Sequence, residues 1–327
     1  MTRVVDIDGL EVSFATDGGT VVAVDDVSLT IDAGEVLAIV GESGSGKTVT
    51  AKSILGLLPE NAVTRGAIVL NGTDVLTLTG ERLRAIRGTD VAMVFQEPST
   101  ALNPVYTVGW QIAEGFRAHG SYSKRESRAK AIEILGRVGI PEPEKRVDHY
   151  PHQFSGGQKQ RVVIAMALVL EPELIVADEP TTALDVTVQA EILDLLRRCR
   201  EEFGAAIVLI THNMGIVADL ADRVAVMYEG KMVEQAPVAT LFESPQHPYT
   251  QKLLAAVPRI GTGAARAAER LAGRVAAGTV NTAAPVVVAE NLVIEYPGRF
   301  GRHGFRAVNG VSFTISPGEV LGLVGES

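Results

Sequence analysis

Gly41-Glu42-Ser43-Gly44-Ser45-Gly46-Lys47-Thr48 decides the architecture of this chain. The run before it, Glu35-Val36-Leu37-Ala38-Ile39-Val40, is short, β-branched and apolar, which predicts a buried strand. The residues after it predict a helix that ends at Pro59. Strand, loop and helix stand in the order that the G-x-x-x-x-G-K-[ST] pattern requires. Glycines let backbone N–H groups curl around phosphate oxygens, and the start of the helix adds its partial positive charge. At this spacing Lys47 reaches β and γ phosphates and Thr48 offers its hydroxyl to Mg2+. A flexible Gly/Ser loop that only happens to precede Lys-Thr is the bland alternative, roughly a one-in-a-hundred accident at background composition.

Working outward, Leu174-Ile175-Val176-Ala177-Asp178-Glu179-Pro180 predicts a second buried strand that ends in two carboxylates. Asp178 is placed to hold the shell of a Mg2+ ion, and Glu179 to orient and deprotonate an attacking water, the two roles phosphoryl transfer needs. A solvated Asp-Glu pair opening a turn before Pro180 is the alternative. Ile207-Val208-Leu209-Ile210-Thr211-His212 repeats the design and delivers His212, which can sense a γ phosphate, to the same sheet edge. Between these strands and the loop lies Phe154-Ser155-Gly156-Gly157-Gln158-Lys159-Gln160-Arg161, opening an apolar helix through Leu170. Ser and two Gly at a helix start form an anion-binding nest, or merely an N-cap with a flexible lead.

The chain has 327 residues, 46% hydrophobic and 21% charged, so it has material for a sizeable core. Thirty Lys and Arg against 39 Asp and Glu make it acidic, with a net charge of −9, which argues against a nucleic-acid coat. Its one cysteine, Cys199, excludes an internal disulfide and a cluster held by several cysteines of this chain. The best apolar run, 162–170, is half a bilayer span, so a membrane role is expected to be peripheral. Residues 23–43 repeat at 307–327 without a gap, 14 of 21 positions being identical where chance gives about one or two. Both copies carry Gly-Glu-Val-Leu and then Val-Gly-Glu-Ser. Between the copies, 261–282 is rich in Gly, Ala, Arg and Thr and reads as a linker, with a helix at 264–277 as the rival reading. The second copy is expected to be the start of a second module that breaks off early.

Taken in order, 41–48, Gln96, Ser155-Gly156-Gly157-Gln158, Asp178-Glu179, Asp185 and His212 resemble the ATP-binding-cassette (ABC) ATPases over about residues 4–258. The resemblance implies ATP and Mg2+ as cofactors and a head-to-tail pair of cassettes, the Ser155–Gln158 loop of one closing over the γ phosphate held by the other. It implies that Lys47, Glu179, His212 and Gln96 serve catalysis, and that Thr48, Gln96 and Asp178 hold the metal. Gly41, Glu42, Ser43, Gly44, Ser45, Gly46, Lys47 and Thr48 would cradle the phosphates. Phe14 matches the aromatic that stacks on adenine, with Tyr296 in its place in the second copy, and Asp185 matches the loop that couples the paired sites. Phe154 stands where the family usually has Leu. Two strings, Ser99-Thr100-Ala101-Leu102-Asn103-Pro104 and His247-Pro248-Tyr249-Thr250, are similar to the branch that imports dipeptides, oligopeptides and sometimes nickel. Tyr106 and Trp110 follow the first and are apt anchors for a membrane subunit.

The expected fold is therefore an α/β P-loop NTPase with a mainly parallel sheet, a small N-terminal antiparallel β subdomain and an inserted helical subdomain at about 96–155. Residues 1–258 are expected to form a complete nucleotide-binding domain, 259–284 a linker and 285–327 the beginning of another. Expected partners are two transmembrane permease subunits, a second cassette and, indirectly, an extracytoplasmic solute-binding protein. The expected place is the cytoplasmic face of the membrane, with no nucleic acid bound. The rivals are a soluble ABC ATPase acting on ribosomes or DNA, and a nucleotide-binding regulator with weak turnover.

Overall fold

A computed structural model of the chain describes residues 2–182, 184–257, 284–297 and 304–325. Two compact units divide it, Met1–Val257 and Pro258–Ser327. The linker expected at 259–284, but for its last residue, and its rival helix at 264–277 lie outside the described residues, as does Ala183.

The first unit begins with a long hairpin, β1 (Arg3–Thr16) and β2 (Gly19–Asp32), followed by β3 (Val36–Val40) and α1 (Lys47–Ile54). Strands β4 (Ala62–Leu70) and β5 (Thr73–Asp74) join the hairpin in an antiparallel sheet of order β2-β1-β4-β5. Helix α2 (Gly80–Ile86) leads to β6 (Val91–Val94), after which come α3 (Pro98–Ala101), α4 (Val108–His119), α5 (Lys124–Arg137), α6 (Pro143–Arg146) and α7 (Gly156–Leu168). Then β7 (Leu174–Asp178), α8 (Val186–Phe203), β8 (Ala206–Ile210), α9 (Met214–Leu220) and β9 (Arg223–Tyr228) alternate. The unit closes with β10 (Lys231–Pro237), α10 (Val238–Glu243) and α11 (Pro248–Ala255).

The six-stranded sheet has the order β10-β9-β3-β8-β7-β6 and is parallel except at β9–β10. This is the α/β architecture expected. Side chains alternate across a strand, so a strand buried on both faces feeds two cores. In β3, Val36, Ala38 and Val40 enter a core shared with α4, α5, α7, α8 and α9. Leu37 and Ile39 enter the other, shared with α1 and the antiparallel sheet. Strand β3 lies between β8 and β9, a switch point in chain direction, and the 41–48 loop opens beyond its carboxyl end.

Two helices are shorter than their sequence patterns. The helix predicted to reach Pro59 stops at Ile54, because Gly56 adopts φ 60° and Gly56 and Leu57 return N–H bonds to Ser53 and Lys52. Helix α7 closes at Leu168 rather than Leu170, ahead of Glu171 at φ 52°.

In the second unit, β11 (Val287–Tyr296) and β12 (Phe305–Ile315) form an antiparallel hairpin. Its register copies β1–β2: Val287 pairs with Ile315 as Val5 does with Ile31, and Tyr296 with Phe305 as Phe14 does with Val21. The bulge is copied too, since Asn291 N donates to Ser312 Oγ at 2.9 Å and Gly9 N to Ser28 Oγ at 2.9 Å. Residues 320–324, the repeat of β3 in the second copy, form no strand. Strand β3 is held by β8 and β9, whereas among the described residues of the second unit only β11 and β12 exist. Without a ladder to join, Val320 and Val324 remain fully exposed.

Candidate active site

The site is assembled at the carboxyl ends of β3, β7 and β8. Gly41 and Gly46 have φ of 150° and 99°, and a Cβ on them would stand 2.1 Å from Met227 O and 2.5 Å from Ala23 O. The loop is thus pressed against β9 and β2 and admits no side chain at either glycine. Gly46 is the N-cap of α1 and makes no side-chain cap, so the first turn presents its N–H groups toward the loop's concavity.

Lys47 is buried, and its Nζ donates to Gly41 O at 2.9 Å, Glu42 O at 2.7 Å and Ser45 Oγ at 3.3 Å. Burial lowers its pKa, against the opposing charges of Glu179 and Asp178. Thr48, the next residue of α1, donates its hydroxyl to Asp178 Oδ1 at 3.2 Å. Asp178 ends β7 and is buried, which raises its carboxyl pKa against the Thr48 hydrogen bond, while the Glu179 charge adds to the rise.

Glu179 sits at φ 47°, a conformation non-glycine residues adopt sparingly and that clusters at functional sites. Its Oε2 accepts from Gln96 Nε2 at 3.0 Å and from Thr182 Oγ1 at 2.8 Å, and its Oε1 lies 3.0 Å from His212 Nδ1. Burial pushes this carboxyl up, but the hydrogen bonds from His212 and Thr182 and the nearby charges outweigh it and lower the pKa overall. An ionised carboxylate only accepts, so His212 carries its proton on Nδ1 in this contact. Two adjacent carboxylates are thereby driven in opposite directions, an arrangement that lets neighbouring groups take different roles.

Hydroxyl, carboxylate and amide oxygens from Thr48, Asp178 and Gln96 suit a hard cation such as Mg2+. Among the described residues no group of three or more His, Cys, Asp or Glu is arranged to hold a metal alone. The donor set therefore fits an ion that takes part of its shell from phosphate oxygens.

The structure joins Lys47, Thr48, Gln96, Asp178, Glu179 and His212 into one connected site. Other sequence candidates lie apart from that network. Ser155 and Gln158 bond each other in a capping box at the start of α7, at 3.3 and 3.2 Å, and Arg146 donates to Gln158 Oε1 at 3.1 Å. Gly156 and Gly157 form the first turn of that helix. Asp185 caps α8 by accepting from Val188 N at 2.9 Å. Phe14, half-buried on β1, packs on the core under the antiparallel sheet. Two residues that touch the site or its loop were not singled out for it from sequence. Thr182 could have been found from its position three residues after Glu179 in a turn; Tyr249, whose hydroxyl accepts from Glu42 N at 2.9 Å, had no local signal.

Residues 24–182 match the family described as ABC transporter, and residues 233–283 match the C-terminal region of oligopeptide/dipeptide transporters. The dipeptide transport ATP-binding protein DppD of Bacillus subtilis (strain 168) is 52% identical over 80% of this chain and 78% of that protein. The glutathione import ATP-binding protein GsiA of Pectobacterium atrosepticum is 46% identical over 99% of this chain and 56% of that protein. Among solved structures, a dimeric ATP-binding cassette in a post-hydrolysis state with ADP and Pi is 30% identical with a TM-score of 0.64, over 72% of this chain and 98% of that one. The cassette cbiO1 of Clostridium perfringens, part of the transporter complex cbiONQ, has 30% identity and a TM-score of 0.63, over 81% of this chain and 100% of that one.

Proposed function

This chain belongs to the ABC transporter family as an ATP-binding, ATP-hydrolysing subunit, and from that premise we propose that it energises the import of short peptides through a membrane permease. One observation carries the catalytic part of the reading: the Glu179 carboxylate is held by Gln96, Thr182 and His212 one residue beyond Asp178, which is itself bonded to Thr48 of the phosphate loop. The loop residues Gly41, Glu42, Ser43, Gly44, Ser45 and Gly46, with Lys47, cradle the β and γ phosphates. Thr48, Asp178 and Gln96 would hold Mg2+, which would neutralise phosphate charge when bound. Glu179 accepts a proton from water as the water oxygen attacks the γ phosphorus, and the bond from that phosphorus to the β-phosphate oxygen breaks to release ADP. Gln96 and Thr182 keep Glu179 aimed, and His212 fixes its other oxygen and stands ready to bond the γ phosphate. Phe14 stacks on the adenine.

Ser155, Gly156, Gly157 and Gln158 are read as the loop that completes a site on a second cassette, with Asp185 coupling the pair. Their location outside the connected network supports that reading, because such a loop has no work to do in its own cassette. The hairpin β11–β12 is read as the start of a further cassette joined by the 259–284 linker, and the copied register supports it. Tyr106 and Trp110, each 42% exposed and stacked with centroids 4.1 Å apart, are read as part of the surface that receives a permease subunit. No described helix is long and apolar enough to cross a membrane. The chain would then sit at the cytoplasmic face, fed indirectly by an extracytoplasmic solute-binding protein.

The peptide reading rests on the match at 233–283 and on the names of the relatives. Vesicles carrying the chain with its permease partners test it: ATP-dependent uptake of a labelled dipeptide is expected. Hydrolysis that short peptides and their binding protein leave unchanged, with no uptake, would overturn it.

A further inference from the structure

The string His247-Pro248-Tyr249-Thr250 lies outside the ATP site described above, yet it ends on the phosphate loop. The Glu234 carboxylate on β10 accepts from Gln246 N at 2.8 Å and His247 N at 2.9 Å, anchoring the chain just before α11. His247 Nδ1 then accepts from Tyr249 N at 3.2 Å, capping the helix that Pro248 opens. Tyr249 is 8% exposed, its ring lies against Tyr228 at 4.3 Å between centroids, and its hydroxyl accepts from Glu42 N at 2.9 Å.

Glu42 is the residue whose carbonyl receives the Lys47 ammonium at 2.7 Å. One peptide unit away from that carbonyl, the loop is therefore tied to a helix more than 200 positions downstream. The other half of the loop is tied by the same C-terminal stretch, since Gly230 N, in the β9–β10 turn, donates to Ser45 O at 3.2 Å. Helix α11 holds the loop at Glu42 and the β9–β10 turn holds it at Ser45, while β2 and β9 press on its glycines. The Glu42 N–H is part-buried, and without the Tyr249 hydroxyl it turns to water or another acceptor, a movement that shifts the neighbouring carbonyl that positions Lys47.

We propose that Tyr249 is a positioning residue for the phosphate loop, through which residues 231–255 set the loop's affinity for the phosphates of ATP. The inference rests on the reading of 41–48 as the phosphate cradle. Tyr249→Phe keeps the ring and its packing on Tyr228 and removes only the acceptor. In the full chain, binding of a non-hydrolysable ATP analogue with Mg2+, measured by calorimetry, is expected to weaken about 5- to 10-fold. For hydrolysis, KM rises by a similar factor while kcat stays within about twofold, a split that a general loss of folded protein does not give. Glu234→Ala, which frees the start of α11, shifts affinity in the same direction, and Tyr228→Phe leaves it unchanged. Lys47→Ala measured alongside separates the two readings. If Lys47→Ala binds normally, the cradle assignment fails; if it binds weakly while Tyr249→Phe and Glu234→Ala match the parent chain, the role of Tyr249 alone is overturned.

Discussion

The Thr48 hydroxyl donates to Asp178 Oδ1 at 3.2 Å, joining the first turn of α1 to the end of β7 across 130 positions of sequence. That bond places one hydroxyl and one carboxylate beside each other at the 41–48 loop, where, on the proposed reading, both would hold Mg2+. Asp178→Asn keeps the size and an acceptor but removes the charge. It is expected to retain nucleotide binding in EDTA, to lose the gain in affinity that Mg2+ confers, and to lower hydrolysis at least about 100-fold. Titrating a fluorescent ATP analogue with and without Mg2+ checks it, and full Mg2+ enhancement in the variant would contradict the assignment.

Glu179→Gln addresses the neighbouring carboxylate. The amide retains the volume and can still meet Thr182, yet it cannot take a proton from water. Turnover is expected to fall at least about 100-fold with ATP affinity preserved, read by phosphate release and calorimetry. Near-normal hydrolysis would remove Glu179 from the role of base.

Gly41→Ala tests the mechanical side of the loop. Its Cβ would meet Met227 O at 2.1 Å, at a φ of 150° that side chains avoid. The expected cost is about 2–3 kcal/mol, a fall in Tm of roughly 5–10 °C for a unit of this size, together with weakened ATP binding. Thermal unfolding followed by circular dichroism checks it, and an unshifted Tm would mean that β9 yields easily.

Cys199, on α8, is 1% exposed, and burial pushes its thiol pKa up to about 12. The thiol therefore stays protonated and unreactive in the folded unit at pH 8. Iodoacetamide is expected to label it only after unfolding by denaturant, as followed by mass spectrometry. Because the unfolded chain ionises this group at a lower pH than the folded one, its contribution disfavours folding only above about pH 9.

Sequence alone determined the strand, loop and helix around 41–48, the two carboxylates at the end of β7 and the internal repeat. Each rests on residues adjacent in the chain: a β-branched apolar run, glycines that free the backbone, and a fixed spacing to Lys47 and Thr48. Helix ends were less legible, as the Gly56 stop at the end of α1 shows, since a glycine's positive φ is realised only when its neighbours return their hydrogen bonds. The string 320–324 makes the same point from the other side. It repeats the pattern of β3 but forms no strand, because an apolar run becomes a strand only where other strands offer it a ladder. Tertiary structure alone decided that Thr48 meets Asp178, that Gln96 and His212 converge on Glu179, and that Tyr249 reaches Glu42. No periodicity encodes those meetings. They follow from the order β10-β9-β3-β8-β7-β6, which burial of both strand faces selects and which sets distant residues side by side at one edge of the sheet.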